Sequence, residues 1–387
     1  MKLEGIRVID LSMYLPGPHL TMMMVDHGAE VIRVEPPGGE PSRNLGPFQK
    51  GYSVWFRNTH RGKKSIVLDL KRDQGREALL KLCETADVVV EGFRPGVSKR
   101  LGIDYESVKI RNSRIVYCSV SAFGQTGPLS DKPSHDMGVQ ALTGLLSLND
   151  GEDGRPAVPG LPGADMGSSL TGLAGVLMAL IRREKTGQGD YVDANMYDTC
   201  LSWTAHLSGS VLADDEAPTT LKGRSIGGAA FYNIYETRDG RYIALTGRET
   251  KFARNLLGYF DRLDLLEFCS SDDCLEQQPV RDFLIARFGE RSQAEWIEVL
   301  EPMEVAWAPV LDMSESFQVP HMRARGMLVD EDIDIKHIAN PIRFAVEPAD
   351  ICFEVPDAGQ HAEELLIELG YSIDDIAELR KEGIVLL

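Results

Sequence analysis

Cysteine is scarce and scattered in this 387-residue chain. There are six, Cys83, Cys118, Cys200, Cys269, Cys274 and Cys352, and no pair has C-x-x-C spacing. That pattern gives no support to a zinc ribbon or a disulfide framework. Cys118 lies in an apolar run and reads as a reduced core thiol. The eight histidines are dispersed, with no cluster of metal-ligand spacing. No G-x-G-x-x-G, Walker loop, G-x-S-x-G or H-E-x-x-H occurs. A fingerprinted dinucleotide site, nucleotide hydrolysis, the α/β-hydrolase triad and zincin chemistry therefore lose their usual sequence support. Basic excess is missing too: the formal charge is −18. No nucleic-acid partner is expected from such a balance. An anionic ligand would need local basic contacts, because the global field repels it. No window reaches the roughly 18 continuous apolar residues of a membrane span, so no membrane association is expected. The opening MKLEGIRVIDLS enters a strand pattern without an apolar h-region, and cytoplasmic location is the expectation.

What is present is a large apolar fraction, 43% of residues, in alternating short blocks. Gly5–Leu11, Ala29–Val34, Ser65–Leu70, Ala86–Val90 and Arg114–Val120 are continuous β-branched runs. Helical stretches such as His19–Gly28 and Asp73–Thr85 separate them. Such runs predict a parallel sheet buried on both faces, hence an α/β layered domain. Pro16-Gly17-Pro18 reads as a break after the first strand, and Met22-Met23-Met24 as helix core. Gly151–Gly167 is dense in Gly and Pro and predicts a loop. Ser168–Lys185 follows as a buried helix with cations in its last turn. A second region opens with a hairpin signal, Thr237-Arg238-Asp239-Gly240 between two strand-like runs, and continues in helices over 251–259, 280–288 and 292–299. The domain expectation is 1–205 for a large domain, 225–325 for a smaller α+β domain, and 335–387 for a return to the large one.

A few polar residues stand where chemistry is plausible. Asp165 ends the Gly/Pro loop beside a helix start. That position suits an N-cap, and it also suits a carboxylate whose reactivity is set by the helix field. His135-Asp136 opens an apolar segment, as a capping pair or as an acid/base group. Glu249 stands between a strand and a helix, as a first-turn acid or a site acid. Arg61, Lys63, Lys64, Lys71, Arg94 and Arg100 lie near strand ends. They are solvated surface or a local phosphate site, since ligands of open α/β sheets gather there.

Ordered motifs then become recognisable along nearly the whole chain. They are Pro16-Gly17-Pro18, Asp26-His27-Gly28-Ala29-Glu30-Val31-Ile32-Arg33, Arg61-Gly62-Lys63-Lys64-Ser65, Glu91-Gly92-Phe93-Arg94-Pro95-Gly96, Phe123-Gly124-Gln125-Thr126-Gly127-Pro128 and Gly187-Gln188-Gly189-Asp190. The chain resembles the class III coenzyme A transferase family, the carnitine dehydratase / bile-acid-inducible type. The resemblance implies a large Rossmann-like CoA-binding lobe, a smaller α+β lobe and an interlocked homodimer. It implies an acyl-CoA substrate with no tightly bound cofactor and no metal.

By the same resemblance Asp165 is the family's acidic residue, within Gly163-Ala164-Asp165-Met166-Gly167. In transferases of the family this carboxylate attacks the thioester. The α-methylacyl-CoA racemase branch is matched more closely by Ser134-His135-Asp136, by Gly227-Gly228-Ala229-Ala230-Phe231-Tyr232 and by Glu249-Thr250-Lys251-Phe252. The implied activity is then racemisation of 2-methylacyl-CoA by two bases, His135 and Asp165, with Glu249 orienting His135. Backbone N–H groups of the helix after Asp165 would hold the enolate oxygen. Arg33, Lys71, Phe93, Arg94, Arg100, Leu101 and Asp136 are the implied CoA contacts. A class III CoA-transferase is the alternative, and a non-catalytic CoA-binding relative the third reading.

Overall fold

The computed structural model describes residues 1–386, apart from 152, 221, 224, 331 and 333. Among these residues ten strands build the two larger sheets. They are β1 (Arg7–Leu11), β2 (Glu30–Glu35), β3 (Lys64–Leu68), β4 (Val88–Glu91), β5 (Val116–Ser119), β6 (Tyr191–Asp193), β7 (Tyr232–Glu236), β8 (Tyr242–Thr246), β9 (Trp307–Pro309) and β10 (Val385–Leu386). The helices that matter below are α1 (Pro16–Val25), α2 (Asp73–Glu84), α3 (Asp136–Leu142), α4 (Gly163–Thr186), α5 (Met196–Trp203), α6 (Thr250–Tyr259), α7 (Gln278–Phe288), α8 (Gln293–Leu300), α9 (Ala362–Glu368) and α10 (Ile373–Lys381).

The chain divides into two compact units. The first comprises Met1–Thr143, Gly160–Trp203 and His321–Leu387, the second Gly144–Pro159 and Thr204–Pro320. Gly144–Pro159 thus leaves its sequence neighbours, where a division at 205 alone would keep it with them.

The first unit carries a sheet of order β10-β3-β2-β1-β4-β5-β6. Strands β1 to β6 are parallel neighbours. Strand β10 closes the edge antiparallel to β3, an addition the parallel expectation lacked. Successive side chains on each strand point to opposite faces, and the cores follow that period. Val8, Val31, Val88 and Val116 pack with Leu20, Met23 and Met24 of α1 and Leu173, Val176 and Leu180 of α4. Ile9, Ile32, Val89 and Tyr117 pack on the other face with Leu79 and Leu82 of α2 and with Leu365, Leu366, Ile376 and Leu379 of α9 and α10. Both faces are buried, which is why the strands read as unbroken apolar runs.

Two helix starts differ from the sequence expectation. α1 begins at Pro16 itself, because proline lacks only an N–H that a first turn does not use. Gly17 in that turn must be glycine, since a Cβ there would lie 2.2 Å from Ser12. α4 begins at Gly163, five residues before the expected start, so Asp165 lies inside its first turn. By length and composition α4 could cross a membrane. One side of it is core, while Leu170, Met178 and Ile181 are exposed.

The second unit holds a three-stranded antiparallel sheet, β9-β8-β7. Its hairpin pairs Tyr242 with Glu236 and turns at Gly240, whose φ is +71°. Tyr235, Ile243 and Leu245 pack against Leu256 and Leu257 of α6, Leu284 and Phe288 of α7 and Trp296 of α8.

Candidate active site

The sheet order places β1 beside β4, where the strand sequence reverses direction. A doubly wound sheet opens a crevice at that point, beyond the carboxyl ends of the strands. Two cavities occupy it, both walled by the first unit. The first, about 360 Å³, is bordered by Ser12, Met13 and Tyr14 after β1, Gly92-Phe93-Arg94 after β4 and Val120-Ser121 after β5. His135 and Asp165 complete its wall. The second, about 430 Å³, lies over the ends of β1, β2 and β3 and includes Leu70, Lys71 and Leu101. Met13 and Phe93 border both cavities.

Asp165 is three residues into α4 and half-buried. Its carboxylate has no hydrogen-bond partner among the described residues. Burial, then the charge of Asp136, push it up to about 6. Asp165 is not an N-cap. That task falls to Asp136, one helix away in sequence. Oδ1 of Asp136 accepts the N–H of Ala164 at 2.7 Å and of Asp165 at 3.1 Å, and Oδ2 accepts Gln140 Nε2 at 2.7 Å. One carboxylate therefore ties the start of α3, preceded by His135, to the first turn of α4. His135 is the residue before α3, exposed, with its backbone carbonyl accepting from Gly138 and Val139.

Several expectations change here. Asp136, expected as a CoA contact, caps α4 and is on the wall of neither cavity. The first turn of α4 offers no free donors for an enolate oxygen. The Ala164 and Asp165 N–H groups go to Asp136, and those of Gly163 and Met166 to the carbonyls of Leu161 and Pro162. Arg33 borders the second cavity, but its guanidinium is fully buried. It is paired with Asp10 at 3.3 Å and with Glu40, and is not available to a phosphate. Arg100 lies on a short helix, Val97–Leu101, and borders neither cavity.

Phe93, Lys71 and Leu101 do border the second cavity, and Arg94 the first. Glu91 fixes the turn that carries Phe93, accepting its N–H at 2.6 Å. Burial raises that carboxyl to about 7. Glu249 is exposed in the second unit at the N-cap position of α6, where its side chain makes no cap bond. Lys132, Tyr14 and Ser121 escaped the sequence reading although all three border the first cavity. Ser121 is the most informative. Its Oγ accepts from Gly124, and among the described residues its own proton has no acceptor.

A model of CoA-transferase family III matches residues 3–362. The chain belongs to that family. It is 34% identical over 396 residues to the human α-methylacyl-CoA racemase, covering 100% of this chain and 98% of that one. It is 33% identical over 347 residues to an acetyl-CoA:oxalate CoA-transferase of Acetobacter aceti, covering 88% and 89%. A CAIB/BAIF family crystal structure from Brucella suis superposes with a TM-score of 0.84 at 28% identity, covering 95% of this chain and 99% of that one. The chain is thus an acyl-CoA enzyme of a family with both racemases and transferases among its named members.

Proposed function

We propose that the protein racemises 2-methylacyl-CoA thioesters. The observation that carries the reading is that Asp165, unpartnered and raised toward neutrality, borders one cavity together with His135. The CoA nucleotide would occupy the second cavity, near Lys71, Leu101 and Phe93. The thioester would reach past Met13 and Phe93 into the first. One base takes the α-proton, the C–H electron pair becomes a Cα–C π bond, and the carbonyl π pair moves onto the thioester oxygen as an enolate. The other group, protonated, returns a proton to the opposite face. Each step of this kind typically gains ~10²–10⁴ in rate. Since α4 has no spare N–H, the Ser121 hydroxyl is the donor we assign to the enolate oxygen. Arg94 and Lys132 border the same cavity and would place positive charge near the developing enolate. The interlocked homodimer would cover the exposed apolar stripe of α4. The protein would act in the cytoplasm.

Transferase chemistry is favoured by the same free carboxylate and by the oxalate-transferase relative. Asp165 would attack the thioester carbonyl, the C–S bond would break, and CoA thiolate would leave a mixed anhydride on the aspartate. The two readings separate in one panel of acyl-CoAs. Racemisation predicts solvent deuterium at the α-carbon with inversion of configuration, and His135→Ala abolishes the inversion. Transfer predicts CoA passing to a free carboxylic acid, with hydroxylamine trapping Asp165 and His135→Ala only weakening the rate. Transfer without α-exchange would overturn the racemase.

A further inference from the structure

We infer that Tyr14 selects the acyl group, and that Arg33 is the positioning residue that holds Tyr14 in place. The inference rests on the acyl-CoA reading of the crevice. Tyr14 has φ +64°, in the left-handed region that a bulky aromatic residue seldom occupies. Strain of this kind persists where the surroundings over-determine it, and it gathers at ligand sites. Here the residue is 41% exposed and borders the cavity of Asp165 and His135. It does not border the nucleotide-side cavity. Met13 and Phe93, which border both, stand between the two. A thioester entering from the nucleotide side passes them first and brings its acyl end to the side of Tyr14.

The strained segment is held from beneath at both ends. Glu40 Oε1 accepts the Tyr14 N–H at 2.9 Å. Glu40 Oε2 accepts Arg33, and Arg33 Nη1 reaches Asp10 Oδ1 at 3.3 Å. The same Asp10 oxygen accepts the Ser12 N–H at 3.0 Å. Asp10, Arg33 and Glu40 are each 0% exposed. This acid–base–acid row pins Ser12 and Tyr14 to one another. Buried ion clusters contribute little net stability, and fixing a local geometry is a use that suits this one.

Tyr14→Gly tests the selection directly. Glycine adopts the same φ freely, so Tm should not fall. Without the ring, kcat/KM for long or bulky acyl-CoAs should rise against acetyl-CoA by about tenfold or more, the scale of a pocket that gains a few methylenes of room. Affinity for free CoA should stay within twofold, and Tyr14→Phe should keep the wild-type preference. Arg33→Lys, which cannot span both acids, should shift preference the same way, again without loss of free-CoA affinity. If that variant does not fold, Glu40→Gln, whose amide oxygen can keep the Tyr14 N–H but loses the ion pair to Arg33, takes its place, and an unmoved preference in the folded variant overturns the positioning role.

An active wild type whose preference Tyr14→Gly leaves unmoved overturns the inference alone. Loss of free-CoA affinity in a folded Arg33→Lys protein overturns the positioning role. A wild type inactive in both α-exchange and transfer overturns the acyl-CoA reading and this inference with it.

Discussion

Asp10 and Asp165 are carboxylates of the same unit in opposite surroundings. Asp10 accepts from the Ser12 N–H, from Thr21 Oγ1 at 2.7 Å and from Lys63 Nζ at 2.9 Å, with Arg33 against it. Burial works against its charge, but Lys63 and Arg33 hold it ionised below the usual carboxylate range. Its lone pairs are spoken for, and a substrate would find nothing there. Asp165 borders a cavity, and among the described residues its carboxylate has no hydrogen bond and no cation. Burial and Asp136 raise it to about 6. A carboxylate surrounded by cations is structural. One left half-buried beside another acid keeps its reactivity for a ligand.

The largest effect should come from the paired acid. Asp10→Asn leaves Lys63 and Arg33 facing a neutral amide in the core. It should cost about 3–5 kcal/mol in denaturant unfolding. A variant as stable as wild type would erase the contrast. The depressed folded value adds a sign: stability from Asp10 is present above about pH 4, its ordinary value, and is lost as pH falls below it.

Asp165 predicts the reverse. Its raised value means that ionisation is resisted in the fold, so stability falls as pH rises from about 4 to 6. Asp165→Asn removes that cost. It should stabilise by up to ~3 kcal/mol at pH 8 and progressively less toward pH 4, read as Tm at the two pH values. Equal gains at both pH values would count against the raised carboxyl.

The smallest effect separates two surface cations. Lys71→Ala, on the second cavity, should weaken free CoA by about tenfold in calorimetry, the scale of one charge-assisted contact. Arg100→Ala, on neither cavity, should change it less than twofold. Equal losses would move the nucleotide away from the second cavity.

Much of the fold was legible because a sheet buried on both faces leaves continuous β-branched runs, as in Val88–Val90. The edge strand at Val385 is two residues long and gives no such signal. The start of α4 was hidden by its capping. A local reading looks for a cap within a few residues, whereas the capping carboxylate, Asp136, lies in another helix. Arg33 carries a readable signal. It stands between Ile32 and Val34 in a strand with no solvent face, so its charge had to find buried acids. Tyr14 was illegible, since a left-handed tyrosine depends on Glu40, which is distant along the chain. Local pattern offered Asp165 and His135 as candidates, motif resemblance gave them roles, and the fold brought them to one cavity.

The central claim is that the free carboxylate of Asp165 acts as a base on a CoA thioester. The rate of α-deuterium incorporation into a 2-methylacyl-CoA, followed by NMR from pH 5 to 8, tests it most directly. We predict a rate that rises through an apparent pKa near 6 in the wild type and falls by ~10²–10⁴ in Asp165→Asn. A rate flat across that range, or an Asp165→Asn protein that exchanges as fast as wild type, would contradict the account.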